Sequence, residues 1–145
     1  MKLEHLVYVS VSTAQPPLEA LIAEIQTESV RNNAPNNLTG VLTWTGTRFI
    51  QILEGSPGSL DVLLLKLICD PRHHDMDVMD RRPIRERSFG RWAMIAPETT
   101  PVGRQRLGDL LQAGERSLDV WEDAMRALVE EQEAVSIGAR GPSPL

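Results

Sequence analysis

The stretch LTGVLTWTGTRFIQILEG, Leu38 to Gly55, contains two strand-like runs on either side of the short turn Thr45-Gly46-Thr47. A turn that contains glycine, between two runs rich in β-branched and aromatic residues, is typical of a β-hairpin. We therefore expect two adjacent antiparallel strands at the centre of the chain.

Gln51 interrupts the apolar pattern of the second of these strands. Successive side chains of a strand point to opposite faces, so Gln51 shares its face with Phe49 and Leu53. A carboxamide in such a place loses its water on folding, which costs about 1–3 kcal/mol unless it finds hydrogen-bond partners. The partner is either another protein group or a bound ligand, and the strand alone does not decide between them.

The composition limits the class of protein. The chain has 145 residues and a formal net charge of −5, which fits one domain with an appendage. An acidic chain is a poor nucleic-acid binder, because that function needs a basic surface to displace counterions from phosphates. The surplus of acidic residues lies in 98–135, where nine Asp and Glu face four Lys and Arg, and this indicates a separate C-terminal element.

The cysteine content and the apolar runs bear on the compartment. Cys69 is the only cysteine, so no internal disulfide can form, and no Cys/His spacing of the zinc-binding kind is present. We expect Cys69 to be inert. The first residues lack the pattern of a signal peptide, and no apolar run is long enough to span a bilayer. We therefore expect a cytoplasmic protein without a membrane partner.

Hydrophobic periodicity predicts the elements around the hairpin. A run after Gln15-Pro16-Pro17 has apolar residues at helical spacing, and a second apolar run after Ser56-Pro57 is too long for most strands. The predicted order is βαββαββ, an α/β (α+β) fold, with strands at 3–11, 38–44, 48–55, 76–83 and 90–95 and helices at 18–32 and 57–70. In the last strand, alternation places Trp92 and Met94 on one face.

Two further helices are predicted at 104–113 and 117–135, and residues 136–145 are predicted to be disordered. Two crossover helices on one side of a sheet leave the other face uncovered. The stripe Val7, Val9 and Val11 belongs to that face, and we expect the C-terminal helices to cover it. The opposite face of the same strand carries Tyr8 and Ser10, so a site with Gln51 would form towards the two crossover helices.

Five segments in unbroken order resemble the successive motifs of BLUF domains, which are flavin-based blue-light sensors. The segments are HLVYVS, VRNNAPNNLTGVL, RFIQILEG, DPRHHDM and RSFGRWAM, and they cover about residues 1–96. The resemblance implies a ferredoxin-like sheet that holds the isoalloxazine ring of FAD or FMN, without a covalent bond, between the two crossover helices. It also implies a division into a flavin-binding domain at 1–97, a helical extension at 98–135 and a tail at 136–145.

The resemblance also implies roles for individual residues. Tyr8 donates a hydrogen bond to Gln51, which bridges to the N5 and C4 carbonyl edge of the flavin. Either Asn32 or Asn33 holds the pyrimidine end, and Arg72 and His73 lie near the ribityl and phosphate end. The residues assigned to the cofactor site are Tyr8, Ser10, Ile22, Ile25, Asn32, Asn33, Gln51, Leu53, Arg72, His73 and Met94, with Tyr8 and Gln51 photoactive and Trp92 and Met94 as switch candidates.

The implied function is a blue-light photoreceptor without catalytic activity. An excited flavin is a strong oxidant, and a nearby phenol such as Tyr8 can supply both an electron and a proton. A glutamine between donor and acceptor can then change its hydrogen-bond pattern, which gives a reversible red-shifted state. We expect the signal to leave through the C-terminal helices, a homo-oligomer interface of a dimer or larger assembly, or a downstream signalling protein.

Two other functions fit the same order of elements. Small phosphate hydrolases share it, and Arg72, His73 and Asn33 could form an oxyanion site, although no nucleophile with a neighbouring base is evident. A sheet that binds a partner without any cofactor is the third possibility. Only the light-sensor hypothesis predicts a yellow protein whose flavin absorption spectrum shifts to the red under blue light.

Overall fold

A computed structural model describes the backbone of residues 2–139 and the side chains of residues 2–135. A four-stranded sheet has the order β2-β3-β1-β4, with every neighbouring pair antiparallel. The elements in chain order are β1 (Leu3–Ser12), α1 (Glu19–Asn33), a short 3-10 helix (Ala34–Asn36), β2 (Thr39–Thr45), β3 (Arg48–Gly55), α2 (Pro57–Ile68), β4 (His73–Ile84), α3 (Pro101–Gln112) and α4 (Leu118–Ala139). The predicted α+β class is confirmed, and the hairpin 38–55 forms the β2–β3 pair.

The ends of the two crossover helices follow from local sequence. α2 begins at Pro57, and the side chain of Ser56 caps it by accepting a hydrogen bond from Ser59 N at 3.3 Å. α1 ends at Asn33, because Pro35 in the next turn has no N–H with which to continue the helical hydrogen bonds. Both helices lie where the periodicity predicts them.

The two faces of the sheet bury separate hydrophobic clusters, as the alternation in β1 predicts. The cleft-side cluster packs between the sheet and the crossover helices, and it includes Leu6, Tyr8, Leu42, Phe49, Leu53 and Met94. The C-terminal cluster packs between the sheet and α3 and α4, and it includes Val7, Val9, Ile50, Ile52, Leu107, Trp121 and Met125. The C-terminal helices therefore share a hydrophobic core with the sheet.

The strand predicted at 90–95 is not formed as a regular strand. Its only pairing is a single parallel bridge between Val41 and Ile95, and a turn hydrogen bond from Trp92 N to Phe89 O bends the segment. Alternation applies only to extended backbone, so the prediction that Trp92 and Met94 share a face is wrong. Trp92 packs against the C-terminal cluster, whereas Met94 is buried in the cleft-side cluster.

The C-terminal helices are longer than the periodicity predicts. α3 begins at Pro101, where the Thr100 side chain accepts a hydrogen bond from Gly103 N at 3.0 Å. α4 continues through Ala139, so residues 136–139 are helical rather than disordered as predicted, and residues 140–145 lie outside the described part of the chain. Of the helices in residues 2–139, none is long and apolar enough to cross a membrane.

Candidate functional site

Tyr8 and Gln51 meet at the centre of the sheet on neighbouring strands. They are direct partners in the β1–β3 register, and Tyr8 Oη donates a hydrogen bond to Gln51 Oε1. Tyr8 is 3% exposed and Gln51 is 4% exposed. The Gln51 amide nitrogen donates to Met94 Sδ at 3.5 Å. A thioether sulfur is a weak acceptor, so the Gln51 amide keeps hydrogen-bonding capacity for a ligand.

Burial controls the protonation of the Tyr8 phenol. Loss of water raises the pKa of Tyr8 above its ordinary value, and the nearby Asp70 carboxylate raises it further. Tyr8 is therefore a neutral hydrogen-bond donor throughout the neutral pH range.

A cleft between α1 and α2 opens above this pair. Its narrow end is a cavity of about 40 Å³ that Tyr8, Gln51 and Phe49 line. Its wider part has a volume of about 310 Å³, in the range of cofactor pockets, and extends over Asn32, Ser59 and Lys66. Seven residues line both parts: Ile25, Ser29, Asn33, Leu63, Leu67, Asp70 and Arg72.

The two neighbouring asparagines occupy different positions in this cleft. Asn33 is 2% exposed, lines both parts and donates from Nδ2 to Ala93 O at 3.0 Å. Asn32 is exposed and lines only the wider part. Consecutive helical residues point about 100° apart, so only one of the two side chains can face inwards.

Arg72 lies at the cleft in a network of carboxylates. Its guanidinium contacts Asp70 at 2.7 Å and Glu28 at 2.9 Å. The hydrogen bond to Asp70 is the main reason why the pKa of Arg72 is raised, and the same hydrogen bond lowers the pKa of Asp70. Both groups are charged at neutral pH, so the guanidinium is held between α1 and the end of α2.

His73 connects β4 to β1 and to α2. Its Nε2 lies 2.6 Å from Leu67 O, and its Nδ1 lies 2.7 Å from Ser10 Oγ. A carbonyl oxygen only accepts, so Nε2 carries the hydrogen, and in the neutral ring Nδ1 accepts from the Ser10 hydroxyl. The ring centroid is 6.2 Å from that of Tyr8. Ser10 thus contributes to the site by orienting His73.

Three of the predicted site residues lie away from the cleft. Ile22 faces a separate cavity of about 350 Å³ between α1 and α3. Leu53 is fully buried in the cleft-side cluster, and Trp92 lies against the opposite face of the sheet. The direction of each side chain depends on how its element is rotated in the packed structure, which residue spacing does not specify.

Several residues that line the cleft were not among the predicted site residues. Ser29 lies four residues after Ile25 and four before Asn33, so the three share one helix face. Leu63 and Leu67 have the same spacing on α2. This i, i+4 spacing is the signal that could have identified them. Leu42, Phe49 and Asp70 also line the narrow end and are absent from the predicted site residues.

Comparison with known proteins identifies the family to which this site belongs. The family model described as "Sensors of blue-light using FAD" matches residues 3–95. The chain belongs to the BLUF family. As a BLUF domain it is a flavin-binding blue-light sensor module rather than a catalytic domain, as the sequence predicts. The family match therefore favours the light-sensor hypothesis over the phosphate hydrolase and over the cofactor-free interaction module.

Relatives of this BLUF chain include light-regulated cyclases. It is 33% identical over 95 residues to the photoactivated adenylate cyclase subunit beta of Euglena longa, and the match covers 65% of this chain and 11% of that protein. The chain therefore spans about a tenth of the length of the curated relatives that it matches.

Two solved structures are also similar to this BLUF chain. The dark state of the BLUF protein BlrB has 28% identity and a TM-score of 0.64, with 94% of this chain and 98% of that chain covered. A bacterial light-regulated adenylyl cyclase has 34% identity and a TM-score of 0.67, with 83% of this chain and 36% of that chain covered. The similarity to BlrB confirms the predicted ferredoxin-like fold.

The residues of the cleft fit the FAD of a BLUF domain. Asn33 and Gln51 are buried amides, and each can both donate to and accept from a heteroaromatic ring edge. Ile25, Leu63 and Leu67 offer apolar contacts on the two flanking helices. A flat apolar ring with polar edges is the type of ligand that such a lining can bind.

Proposed function

We propose that Tyr8 and Gln51 form the photoactive centre of this sensor. The observation that carries the proposal is the buried hydrogen bond from Tyr8 Oη to Gln51 Oε1 at the narrow end of the cleft. FAD bound there would supply a strong oxidant on excitation by blue light, and this oxidant would accept the electron. Tyr8 is the donor of the electron, and its Oη proton has a ready acceptor in Gln51 Oε1.

The Gln51 side chain is the group whose hydrogen bonds differ between the dark and the illuminated protein. Its amide can exchange the positions of donor and acceptor, so the hydrogen bonds around it change without a change in covalent structure. A net hydrogen bond contributes about 0.5–1.5 kcal/mol, so a rearranged network is metastable and returns in the dark. Met94 is the better switch candidate than Trp92, because its sulfur accepts from Gln51 whereas Trp92 lies across the sheet.

Further side chains are proposed to hold the cofactor. Asn33 is assigned to the pyrimidine end of the ring because it is the buried asparagine of the pair. Arg72 and His73 are assigned to the ribityl and phosphate end, and Ile25 packs against the ring. The support for the last three is that each lines the cleft beside Tyr8 or Asn33.

The output of the sensor is proposed to pass through α3 and α4 to a downstream protein. The support is that these helices pack on the face of the sheet opposite Gln51 and share the C-terminal cluster with β1 and β3. Further support is that the names of two similar proteins, a photoactivated adenylate cyclase subunit and a light-regulated adenylyl cyclase, connect light with an enzyme activity. The homo-oligomer and the cytoplasmic location stay predictions.

The test of the proposed function is the absorption spectrum of the purified chain with FAD. Blue light is expected to shift the flavin band to the red, and the shift is expected to decay in the dark. A protein that binds FAD without any photoreversible shift would contradict the proposal. FMN and riboflavin, loaded in parallel, establish which flavin the cleft retains.

Replacing Asn33 with alanine is expected to weaken FAD binding by about tenfold, because the variant loses one buried hydrogen bond to the ring. The measurement is a titration of the apoprotein followed by quenching of flavin fluorescence. Asn32→Ala is the matched control, because it removes the same side chain from the next, exposed position. An equal loss in both variants would contradict the assignment of Asn33.

A further inference from the structure

The face of the sheet opposite the cleft carries a second buried polar cluster. The Glu54 carboxylate, which is fully buried, accepts hydrogen bonds from Ser88 N at 2.6 Å, Phe89 N at 3.0 Å and Thr39 Oγ1 at 2.9 Å. A charge that accepts three hydrogen bonds is well compensated. Glu54 thereby fixes the start of the irregular segment 88–95 to β3.

Glu122 brings α4 into the same cluster. Its Oε1 accepts hydrogen bonds from Ser88 Oγ and from Arg126 Nη2, and its Oε2 lies 3.5 Å from His5 Nδ1. The side chains of His5 and Glu122 are only 7% and 13% exposed. His5 Nδ1 has no hydrogen-bond partner among residues 2–135. One carboxylate therefore contacts β1, segment 88–95 and the next turn of its own helix.

The other end of segment 88–95 reaches the photoactive centre. Met94 Sδ accepts from Gln51, and Ala93 O accepts from Asn33. Between the two ends, the backbone of the segment is hydrogen-bonded to Gly40 of β2. A short segment that is held at both ends transmits a displacement along its length better than a free loop does.

We infer that Glu122 is the positioning residue through which segment 88–95 reports the state of Gln51 to α4. The inference rests on the proposed role of Gln51 as the residue that rearranges in light. Movement of Met94 is relayed along the segment to the Ser88 hydroxyl, while Glu54 keeps the Ser88 backbone N–H in place. The hydrogen bond from this hydroxyl to Glu122 then weakens, and the first turns of α4 open more readily. The segment also forms an ion pair with α4, from Arg91 to Glu133 at 3.5 Å, but the exposure of both side chains makes this pair weak.

Amide hydrogen exchange of α4 in the FAD-loaded full chain, in the dark and under blue light, tests this inference. In the unmodified chain, light is expected to raise exchange in residues 118–130. In Glu122→Gln, exchange is expected to be about tenfold faster already in the dark and to gain little in light, while the red shift persists. Asp123→Asn is the matched control, because it removes the same charge from a side chain that is 72% exposed.

Ser88→Ala provides a second variant that removes only the hydroxyl and keeps the charges of α4. It is expected to reduce the light-dependent gain in exchange in the same way, with the red shift retained. The inference is overturned if light leaves α4 exchange unchanged in the unmodified chain, or if both variants respond as fully as Asp123→Asn does. Absence of the red shift in the unmodified chain would instead overturn the proposed function.

Discussion

Tyr8→Phe is expected to abolish the light-induced red shift completely while FAD stays bound. Phenylalanine keeps the ring and its packing in the cleft-side cluster but has no proton to give to Gln51 Oε1. Tyr8 is the only tyrosine in the chain, so no second phenol can replace it. The measurement is the difference spectrum under blue light, together with the flavin-to-protein ratio before illumination.

A second buried hydroxyl supplies the control for this variant. Thr43→Val removes a side-chain oxygen that donates to Ile50 O at 3.3 Å within the same sheet, away from the cleft. It is expected to keep the red shift, so loss of the shift in Tyr8→Phe cannot be attributed to general loosening of the sheet. A normal photocycle in Tyr8→Phe would show that the phenol is not the donor.

Trp121→Ala is expected to lower the free energy of unfolding by about 3–5 kcal/mol. The indole is fully buried in the C-terminal cluster, and its Nε1 donates to Glu115 O at 2.9 Å. Its removal leaves a large cavity between α4 and the sheet, because neighbouring side chains relax only partially. The measurement is chemical denaturation of the apoprotein followed by circular dichroism.

Trp92→Ala is the matched control for this prediction. Trp92 is only partly buried at the edge of the same cluster, so the expected loss is about 1–2 kcal/mol. If Trp121→Ala costs no more than Trp92→Ala, then α4 contributes little to the stability of the sheet. A large difference would show that packing of α4 against the sheet contributes substantially to the free energy of unfolding.

Much of the site could be predicted from the sequence because it lies in regular elements. Strand alternation predicts the cleft-facing sides of Tyr8 and Gln51, and the pairing of β1 with β3 makes the two residues direct neighbours. The sequence does not determine which way side chains outside regular strands point. Strand alternation, which holds only for extended backbone, predicts one face for Met94 and Trp92, whereas a turn at Phe89 to Trp92 separates them.

Helix rotation accounts for most of the other differences. Ile22 and Ile25 have equally good helical spacing, yet only Ile25 lines the cleft, because the packing of α1 against the sheet turns Ile22 towards α3. The same rotation buries Asn33 and exposes Asn32. Periodicity gives the relative angle of two side chains on a helix, but the absolute direction depends on the surface against which the helix packs.

The sequence by itself determined the order of the elements, the two-sided pattern of β1 and the motifs that indicate a BLUF domain, because these depend on local spacing and residue type. Only the tertiary structure decided that Asn33 faces the cleft, that Ser10 acts through His73, and that Glu122 joins α4 to β1 and segment 88–95. Each of these depends on contacts between residues that are far apart in the chain, from 34 positions for Ser88 and Glu122 to 63 for Ser10 and His73 and more for His5 and Glu122. Such contacts exist only after the sheet and its helices have packed.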